Sequence, residues 1–355
     1  MILAGDIGGT KTVLAIFDRR SPIAEGGAPD GFADGAGVLP RGIDRSLAIV
    51  REAIYPCADY PSLEAVLAEF LRPEERNRLT GACFGVAGPV YAGTAKITNL
   101  PWTIDAAGLA NLLGGIPVAL LNDLQATALG ALVLPDTAFA VLQPAAAAPP
   151  GGTIAVIAPG TGLGEALLVS DGTYYRALPS EGGHADFAPG TDDEIALLHY
   201  LRGRYGDHVS YERVLSGAGI GDLYHFLRTT TGTAEPAWLS EAFANHDRNA
   251  VISRVALEHR DPACVRALEM FTEILGAEAG NLALRGLASG GVVIGGGIPP
   301  KILPALTDGH LLDRFNAKGR FAPWTRTLGV RVALEPRAAL FGAAHHAATY
   351  KDARA

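Results

Sequence analysis

One aspartate lies where a buried strand is predicted to end and a helix to begin. The segment IPVALLND predicts the strand, and Asn122 and Asp123 directly precede the helical stretch LQATALGALVL. Ligands of α/β sheets bind at the carboxyl ends of the strands. There, Asp123 could accept the proton of a substrate hydroxyl as a general base. Asn122 or Asp123 could equally cap the helix, and from these residues alone both interpretations stay open.

A carboxylate and an imidazole lie close together in the segment LPSEGGHADFAP. Two glycines separate Glu181 from His184, which disfavours a helix and favours a loop whose backbone runs near a ligand. Both side chains can hydrogen-bond sugar hydroxyls. The structural alternatives are a helix cap for Glu181, a satisfied buried histidine for His184, and a metal pair that lacks further ligands.

A third acidic residue, Glu212, follows in the segment HVSYERVLSGAG. Ser210 is predicted to cap a helix there, and Glu212 falls in the first turn of that helix. Because the helix dipole favours a carboxylate at this position, Glu212 taken by itself is interpreted as structural.

Two glycine-rich bends have the composition of phosphate loops. In GDIGGTK the bend lies between two predicted strands, and we predict that Gly8 and Gly9 supply the positive φ of a tight reversal. Backbone N–H groups in such a bend can approach an anion closely. A weak internal repeat pairs this segment with APGTGLGEALLVSD, so two bends could grip one polyphosphate. A plain polar hairpin tip, and chance similarity of the two segments, remain the alternatives.

A third glycine run occurs in GGVVIGGGIPP, which predicts a strand, three glycines and a helix opened by proline. Gly295–Gly297 would let a flat nucleoside lie against the backbone, although a tight strand-to-helix connection explains them equally well. The P-loop pattern G-x-x-x-x-G-K-[ST] does not occur in the sequence. GTGLGE and GAGIGD lack the last glycine of the dinucleotide motif, so both of these nucleotide-binding classes are excluded.

The composition is that of a well-packed globular protein, with 48% hydrophobic and 19% charged residues. A length of 355 residues predicts two lobes with a cleft between them. The net charge of −8 provides no basic face for nucleic acid. Cys57, Cys83 and Cys264 lack the spacing of a zinc site. With no secretory signal and no run of about 18 apolar residues, we expect a cytoplasmic protein without a membrane segment.

Strand-like runs alternate with helical runs along the chain, which predicts an α/β protein. LTGACFGVAGPV and GTIAVIAPGTG predict two of the strands. A helix is predicted around Ser46–Ile54, after a turn-rich, exposed excursion over residues 21–45 to which we assign no chemistry. The Ala/Pro/Gly stretch Gln143–Gly152 predicts a surface connection.

The ordered set of motifs resembles the bacterial glucokinases, within the superfamily of hexokinases, actin and heat-shock chaperone ATPases. The resemblance extends from the first strand to the last helix, and EGGHADFAP followed by SYERVLSG is its most specific part. The shared motifs are GDIGGTK, GVAGPV, TNLPW, LNDLQATALG, GTGLGEAL, EGGHADFAP, VSYERVLSG, GNLAL and GGVVIGGGI. The resemblance implies two ribonuclease H-like α/β lobes of the actin-like ATPase fold around a central cleft. It implies a small lobe of residues 1–134 plus 336–355 and a large lobe of residues 135–335.

The resemblance also implies ATP-dependent phosphorylation of D-glucose to glucose 6-phosphate, the first step of glycolysis, with Asp123 as the general base. The implied glucose-binding residues are Asn122, Asp123, Glu181, His184 and Glu212. The implied ATP-binding residues are Gly5, Asp6, Ile7, Gly8, Gly9, Thr10, Gly160, Thr161, Gly162, Gly295, Gly296 and Gly297. Asp6 is expected to hold Mg²⁺ through water, and we expect a homodimer that binds neither nucleic acid nor membrane.

Two other functions are compatible with the sequence: a kinase for another hexose such as mannose, and a non-catalytic sugar sensor. A sensor is expected to lack the general base or to carry a DNA-binding segment. Asp123 is present, and because the first predicted strand begins almost at Met1, we expect no helix-turn-helix ahead of it. The zinc-binding cysteine cluster of the related repressor and kinase group is missing, which places the chain with the zinc-free glucokinases.

Overall fold

The computed structural model describes residues 1–19, 45–97, 100–146 and 149–349. The predicted excursion over residues 21–45 therefore lies, except for Arg45, outside the described residues. The chain divides into two compact units. Unit 1 consists of Met1–Ala138, Ala166–Pro179 and Glu335–Ala355, and unit 2 of Phe139–Glu165 and Ser180–Leu334.

Strands and helices alternate along the described part of the chain, which confirms the α/β class. The strands are β1 (Ile2–Ile7), β2 (Lys11–Arg19), β3 (Leu47–Pro56), β4 (Gly81–Val86), β5 (Val90–Tyr91), β6 (Thr94–Lys96), β7 (Thr103–Asp105), β8 (Val118–Asn122), β9 (Phe139–Gln143), β10 (Ile154–Pro159), β11 (Leu163–Ser170), β12 (Tyr175–Ser180), β13 (Val292–Ile294) and β14 (Val330–Ala333). The helices are α1 (Leu63–Phe70), α2 (Pro73–Arg76), α3 (Ala106–Leu112), α4 (Asp123–Val133), α5 (Asp192–Tyr205), α6 (Gly217–Thr231), α7 (Ala237–Asn245), α8 (Arg248–Leu257), α9 (Pro262–Gly286), α10 (Leu303–Leu306), α11 (His310–Asn316), α12 (Ala322–Thr325) and α13 (Ala338–Thr349).

Unit 1 is built on a five-stranded sheet in the order β3-β2-β1-β4-β8. β1 and β2 form an antiparallel hairpin, whereas β1, β4 and β8 run parallel. The register places Ile7 beside Val86 and Val86 beside Asn122. The carboxyl ends of the three parallel strands are therefore level at one edge of the sheet, which is where ligands bind in such sheets.

Helices α4 and α13 of unit 1 pack with their backbones in close approach. A Cβ atom on Gly130 would overlap the carbonyl oxygen of Ala338, and one on Gly342 would overlap the carbonyl oxygen of Ala126. Only a residue without a side chain allows this approach. Because α13 also packs against β1 and β4, it fixes the position of α4, whose first residue is Asp123.

Leu47–Pro56 forms strand β3, so the predicted helix around Ser46–Ile54 is wrong. Its leucine, alanine, arginine and glutamate residues favour a helix by intrinsic propensity. However, β3 pairs with β2 over the whole length of that strand, from Lys11 opposite Pro56 to Arg19 opposite Leu47. Pairing with a neighbouring strand overrides a propensity of a few tenths of a kcal/mol per residue.

The bend between β1 and β2 closes without left-handed residues. Neither Gly8 nor Gly9, both of which the structure describes, has a positive φ, so that prediction is wrong. The N–H of Gly8 donates to the carbonyl oxygen of Lys11 at 3.0 Å. Since the reversal extends over several residues rather than a two-residue turn, it does not require the left-handed conformation.

A second sheet has six strands in the order β12-β11-β10-β13-β14-β9, and its parallel strands β10, β13 and β14 lie in unit 2. β10, a glycine bend and β11 follow one another as β1, a glycine bend and β2 do in unit 1. Both halves of the weak internal repeat are therefore strand–bend–strand units. No helix within the described ranges is long and apolar enough to span a bilayer.

Candidate active site

Two carboxylates lie at the carboxyl edge of the unit 1 sheet. Asp6 is the penultimate residue of β1, and Asp123 is the first residue of α4. Gly85 of β4 is the register partner of Asp6. A Cβ atom on Gly85 would be 3.8 Å from the Cα of Asp123 and only 2.9 Å from the Cβ of Ala126. The missing side chain at Gly85 therefore lets the start of α4 lie next to β1 and β4.

The two carboxylates influence each other electrostatically. Burial and the negative charge of Asp123 raise the pKa of Asp6 to about 6, and the positive charge of Lys11 opposes this rise. Asp123 is exposed, and its Oδ1 accepts the N–H of Leu124 at 2.8 Å. An exposed carboxylate at this edge is suited to accept a proton from a bound hydroxyl.

The carboxylate of Asp6 fits a magnesium ion that is held largely by its substrate. Carboxylate oxygens are hard ligands, and Mg²⁺ is usually bound through one or two carboxylates together with water and phosphate oxygens. A cation near Asp6 would also offset the repulsion from Asp123 that raises the pKa of Asp6. Within the described residues there is no group of three or more His, Cys, Asp or Glu side chains that could hold a metal without such help.

We expect Asp6→Asn to flatten the pH dependence of the free energy of unfolding between pH 3.8 and about 6. The folded pKa lies above the unfolded value, so the folded wild type holds the extra proton in this window and loses stability as the pH rises through it. The loss is at most about 1.4 kcal/mol per pH unit. Urea unfolding across the window measures it, with the exposed Asp59→Asn as the control. Equal slopes in the wild type and Asp6→Asn would contradict the burial of Asp6.

Asn122 caps helix α4. Its Oδ1 accepts the N–H of Leu124 at 2.9 Å, and its own N–H donates to the Oε1 of Gln125 at 3.1 Å, which completes a capping box. Its Nδ2 donates to the carbonyl oxygen of Gly88 at 3.2 Å. The cap interpretation of Asn122 is therefore correct. The second N–H of the same amide is the group that Asn122 would offer to a sugar hydroxyl.

The first phosphate-loop candidate divides into a packed part and a bend. Ile7 is fully buried in β1, and a Cβ atom on Gly5 would be 2.6 Å from the Cδ1 of Phe84. Gly5 and Ile7 therefore serve packing, and the bend Gly8–Thr10 is the part that lies beyond the end of the strand.

Cys57, to which the sequence assigned no role, ties this bend to the end of β3. Its N–H donates to the carbonyl oxygen of Thr10 at 2.9 Å, and its thiol donates to the carbonyl oxygen of Gly8 at 3.5 Å. The Oγ1 of Thr12 lies 3.4 Å from the Cys57 Sγ. Thr12 and Cys57 are 45 residues apart in sequence, so no local spacing signals the contact.

In unit 2, the start of β11 brings Glu181, His184 and Glu212 together. The Oε2 of Glu212 accepts the N–H of Leu163 at 3.0 Å, and a Cβ atom on Gly162 would overlap that oxygen. The Nδ1 of His184 is 3.9 Å from the Oε1 of Glu212, and its Nε2 is 3.8 Å from the Oε2 of Glu181. Three side chains able to bond sugar hydroxyls therefore lie side by side.

The structural alternatives do not account for Glu181 and His184. Glu181 precedes a single 3₁₀ turn, Gly182–His184, where a loop was predicted, and its side chain makes no cap hydrogen bond. The side chain of His184 is 59% exposed, so it is not a core histidine. Ser210 precedes another 3₁₀ turn, Tyr211–Arg213, instead of the predicted helix, and its hydroxyl does not cap that turn.

The second phosphate-loop candidate, Gly160–Gly162 with the exposed Thr161, lies against the glycine run Gly295–Gly297. Gly296 has a φ of +89°, and a Cβ atom there would overlap the carbonyl oxygen of Pro159. A Cβ atom on Gly160 would be 3.9 Å from the N of Gly297. The structure therefore brings together two of the three predicted ATP-binding segments.

The start of helix α6 adjoins this second bend, which the sequence did not predict. The N–H of Gly217 donates to the carbonyl oxygen of Gly160 at 2.9 Å, and Ser216 caps the helix by accepting the N–H of Gly219 at 3.2 Å. The positive end of a helix dipole favours an anion such as phosphate. The capping serine before GAGIGD is the signal in the sequence that indicates the start of this helix.

Comparison with known proteins identifies the family. The family model described as "Glucokinase" matches residues 42–350. The chain belongs to the glucokinase family. It is 38% identical to the glucokinase of Nostoc punctiforme over 97% of this chain and 98% of that protein, and 38% identical to the glucokinase of Synechocystis sp. over 96% of each.

Solved structures of a glucokinase and of a hexokinase share the fold of this glucokinase-family chain. A crystal structure of a glucokinase from an Antarctic psychrotroph superimposes with a TM-score of 0.81 at 30% identity, covering 99% of this chain and 98% of that one. The ROK hexokinase from Thermus thermophilus has a TM-score of 0.60 at 19% identity, covering 100% of this chain and 99% of that one, and shares the fold. The expected actin-like ATPase fold is confirmed.

Proposed function

We propose that this member of the glucokinase family phosphorylates D-glucose at its 6-hydroxyl with ATP, giving ADP and glucose 6-phosphate. The observation that carries the proposal is the match over nearly the whole chain to proteins named glucokinase. The exposed carboxylate of Asp123 at the carboxyl edge of the unit 1 sheet supports it.

In the proposed reaction Asp123 orients the 6-hydroxyl of glucose and accepts its proton as the oxygen attacks the γ-phosphorus of ATP. The transition state of phosphoryl transfer is loose, so the protein chiefly positions the reactants and neutralises charge. The backbone N–H groups of Gly8–Thr10 and Gly160–Gly162 are assigned to the phosphates, and Gly295–Gly297 to the nucleoside. Asp6 would hold Mg²⁺ through water, and the ion would neutralise charge on the β- and γ-phosphates.

Asn122, Glu181, His184 and Glu212 are assigned to the remaining hydroxyls of glucose. The support from structure is that Glu181, His184 and Glu212 lie together in unit 2 and that two of them are exposed. The assignment of Asn122 and Asp123 to the same sugar rests on the family resemblance. A site built to pair hydroxyl groups rejects analogues that leave its polar groups unpaired, which would provide selectivity for one hexose.

The division into lobes at 1–134 plus 336–355 and 135–335, the homodimer, the cytoplasmic location and the role in glycolysis also belong to this proposal. They rest on the family resemblance. Light scattering of the purified protein tests the dimer directly, and a mass of one chain would contradict it.

We expect Glu181→Gln and His184→Ala to raise the KM for glucose without lowering the Tm of the apo protein, because both side chains are largely exposed. Glu212→Gln should raise KM and also lower the apo Tm, because a neutral amide oxygen accepts the buried N–H of Leu163 more weakly than the carboxylate does. Loss of a sugar hydrogen bond costs roughly 1–3 kcal/mol, or about 5- to 150-fold in KM.

Melting without and with saturating glucose, together with steady-state kinetics, separates the two roles, because ligand stabilisation follows the ratio of free glucose to Kd. The exposed Glu241→Gln in α7 is the matched control. If Glu181→Gln or His184→Ala lowered the apo Tm while the glucose-induced shift stayed normal, that residue would belong to the scaffold.

A coupled assay of ADP release over a panel of hexoses and nucleotides tests the proposed function. We expect the highest kcat/KM with glucose and ATP. A higher value with mannose would favour the other-hexose alternative, and binding of sugar without ADP release would favour a sensor.

A further inference from the structure

Unit 2 buries two carboxyl groups that the proposed reaction does not use. Glu165 of β11 is 1% exposed, and Glu278 of α9 is fully buried. Glu278 is well bonded, since it accepts from the Nη1 of Arg285 at 2.6 Å and from the Nδ2 of Asn281 at 2.9 Å. Both oxygens of Glu165 are buried, and neither accepts a hydrogen bond from a donor among the described residues. An ionised carboxylate in that state would be costly.

A proton on Glu165 removes this cost. The Nη1 of Arg285 lies 2.6 Å from Glu278 but 3.9 Å from the Oε2 of Glu165, so the one guanidinium chiefly neutralises Glu278. Burial and the charge of Glu278 raise the pKa of Glu165 to about 8, against the opposing charge of Arg285. With its proton, Glu165 can donate an O–H to Glu278, and the pair then carries a single negative charge.

Other ionisable groups face the pair from neighbouring segments. Burial and the charge of Glu278 raise the pKa of Tyr211. Lys318 donates to the Oδ1 of Asn281 at 2.7 Å, and burial lowers its pKa to about 8. Near Lys318, the Nη2 of Arg314 forms an ion pair with the Oε1 of Glu194 at 2.9 Å. A test must therefore separate the titration of Glu165 from that of Lys318.

The carboxyl group of Glu165 lies directly under the turn that carries Glu181 and His184. A Cβ atom on Gly182 would overlap the Oε2 of Glu165, so the backbone of the turn is in close contact with this oxygen. Two residues earlier in the same strand, Leu163 holds Glu212 through its N–H. The first residues of β11 thus support all three candidate sugar-binding side chains of unit 2.

We propose that Glu165, protonated and hydrogen-bonded to Glu278, is a positioning residue that holds the Gly182–His184 turn so that Glu181 and His184 meet the sugar. This inference rests on the proposed function of those two side chains in glucose binding. When the proton is lost, two buried negative charges repel each other, and because the Oε2 of Glu165 is in close contact with Gly182, a shift of this carboxylate disturbs the turn. Glucose affinity then falls, while ATP affinity does not.

The decisive experiment compares the wild type with Glu165→Gln from about pH 6.5 to about pH 9.5, on either side of the window in which Glu165 titrates. For the wild type, we expect the KM for glucose to rise about tenfold across this range, the factor that corresponds to one pKa unit, while the KM for ATP stays within about twofold. In Glu165→Gln the amide keeps a donor to Glu278 and cannot ionise, so its KM for glucose should stay low. Because Lys318 is unchanged in this variant, any remaining rise is not due to Glu165.

Gly182→Ala provides a second test that does not depend on the titration. Its methyl group must displace the Glu165 carboxyl or the turn, and we expect about a tenfold higher KM for glucose at neutral pH, the factor of about 1.4 kcal/mol. Gly203→Ala in α5 is the matched control, because a Cβ atom there meets nothing within 4 Å.

Three results overturn the inference. The first is the same rise of KM with pH in Glu165→Gln as in the wild type, and the second is a normal KM for glucose in folded Gly182→Ala. Either of them, found in a protein that phosphorylates glucose, leaves the proposed function intact. The third is a wild type without glucose phosphorylation at any pH, which overturns the proposed function and this inference together.

Discussion

Replacement of Asp123 by asparagine is expected to lower kcat for glucose phosphorylation by at least about 100-fold while glucose and ATP still bind. The amide keeps the shape of the side chain and an oxygen able to accept the Leu124 N–H, but it cannot take the proton of the 6-hydroxyl. Since the interaction is needed only as the oxygen attacks, kcat should fall and the KM for glucose should change little.

A second readout does not depend on activity. Because the charge of Asp123 raises the pKa of Asp6, Asp123→Asn should lower the pKa of Asp6 from about 6, which NMR titration can follow. Asp136→Asn, an exposed carboxylate of the same unit, is the matched control for both measurements. A turnover near that of the wild type would show that another group is the base.

The largest effect on stability is expected from Gly342→Ala. The added methyl group would occupy the position of the Ala126 carbonyl oxygen, a backbone atom of α4 that no rotamer change can move. Helices α4 and α13 would have to separate, and overpacking of this kind costs about 3 kcal/mol. Denaturant unfolding, followed with a probe placed in unit 1, measures this loss in the free energy of unfolding.

The control for this prediction is again Gly203→Ala, an exposed helical glycine where alanine should be neutral or stabilise by up to about 1 kcal/mol. An unchanged midpoint of unfolding in Gly342→Ala would show that α4 and α13 do not pack as closely as described.

Features of the fold that depend on local pattern could be predicted from sequence. The strands around Gly5 and Gly160, and helix α4, follow from apolar runs that are bounded by glycine or by a capping residue. Strand β3 could not be predicted, because its partner β2 decides its conformation against its own propensity. The positive φ angles predicted for Gly8 and Gly9 are wrong for a related reason. The length of the bend, and not its composition, sets these angles.

Within the candidate site, the sequence indicates the polar side chains that lie in glycine-rich segments. It does not indicate the residues that hold those side chains in place. Asp123, Glu181 and His184 are recognisable because glycine and helix signals surround them. Glu165 and Glu278 lie in different elements, 113 residues apart, and only the tertiary fold brings their carboxyl groups together. The one sign of this buried carboxyl group in the sequence is the glutamate, Glu165, inside the apolar strand β11.

The discontinuity of unit 1 has a consequence for synthesis on the ribosome. Helix α13, which packs on α4 and β1, belongs to the stretch that starts at Glu335, after the whole of unit 2 has been translated. At about 5–20 residues per second, the roughly 200 residues between Ala138 and Glu335 take about 10–40 s to make. For that interval the emerging sheet of β1, β4 and β8 lacks its covering helix and exposes apolar surface to the chaperones that bind nascent chains. Unit 2 has its complete sequence first, so the second half of the polypeptide can fold before the first half is finished.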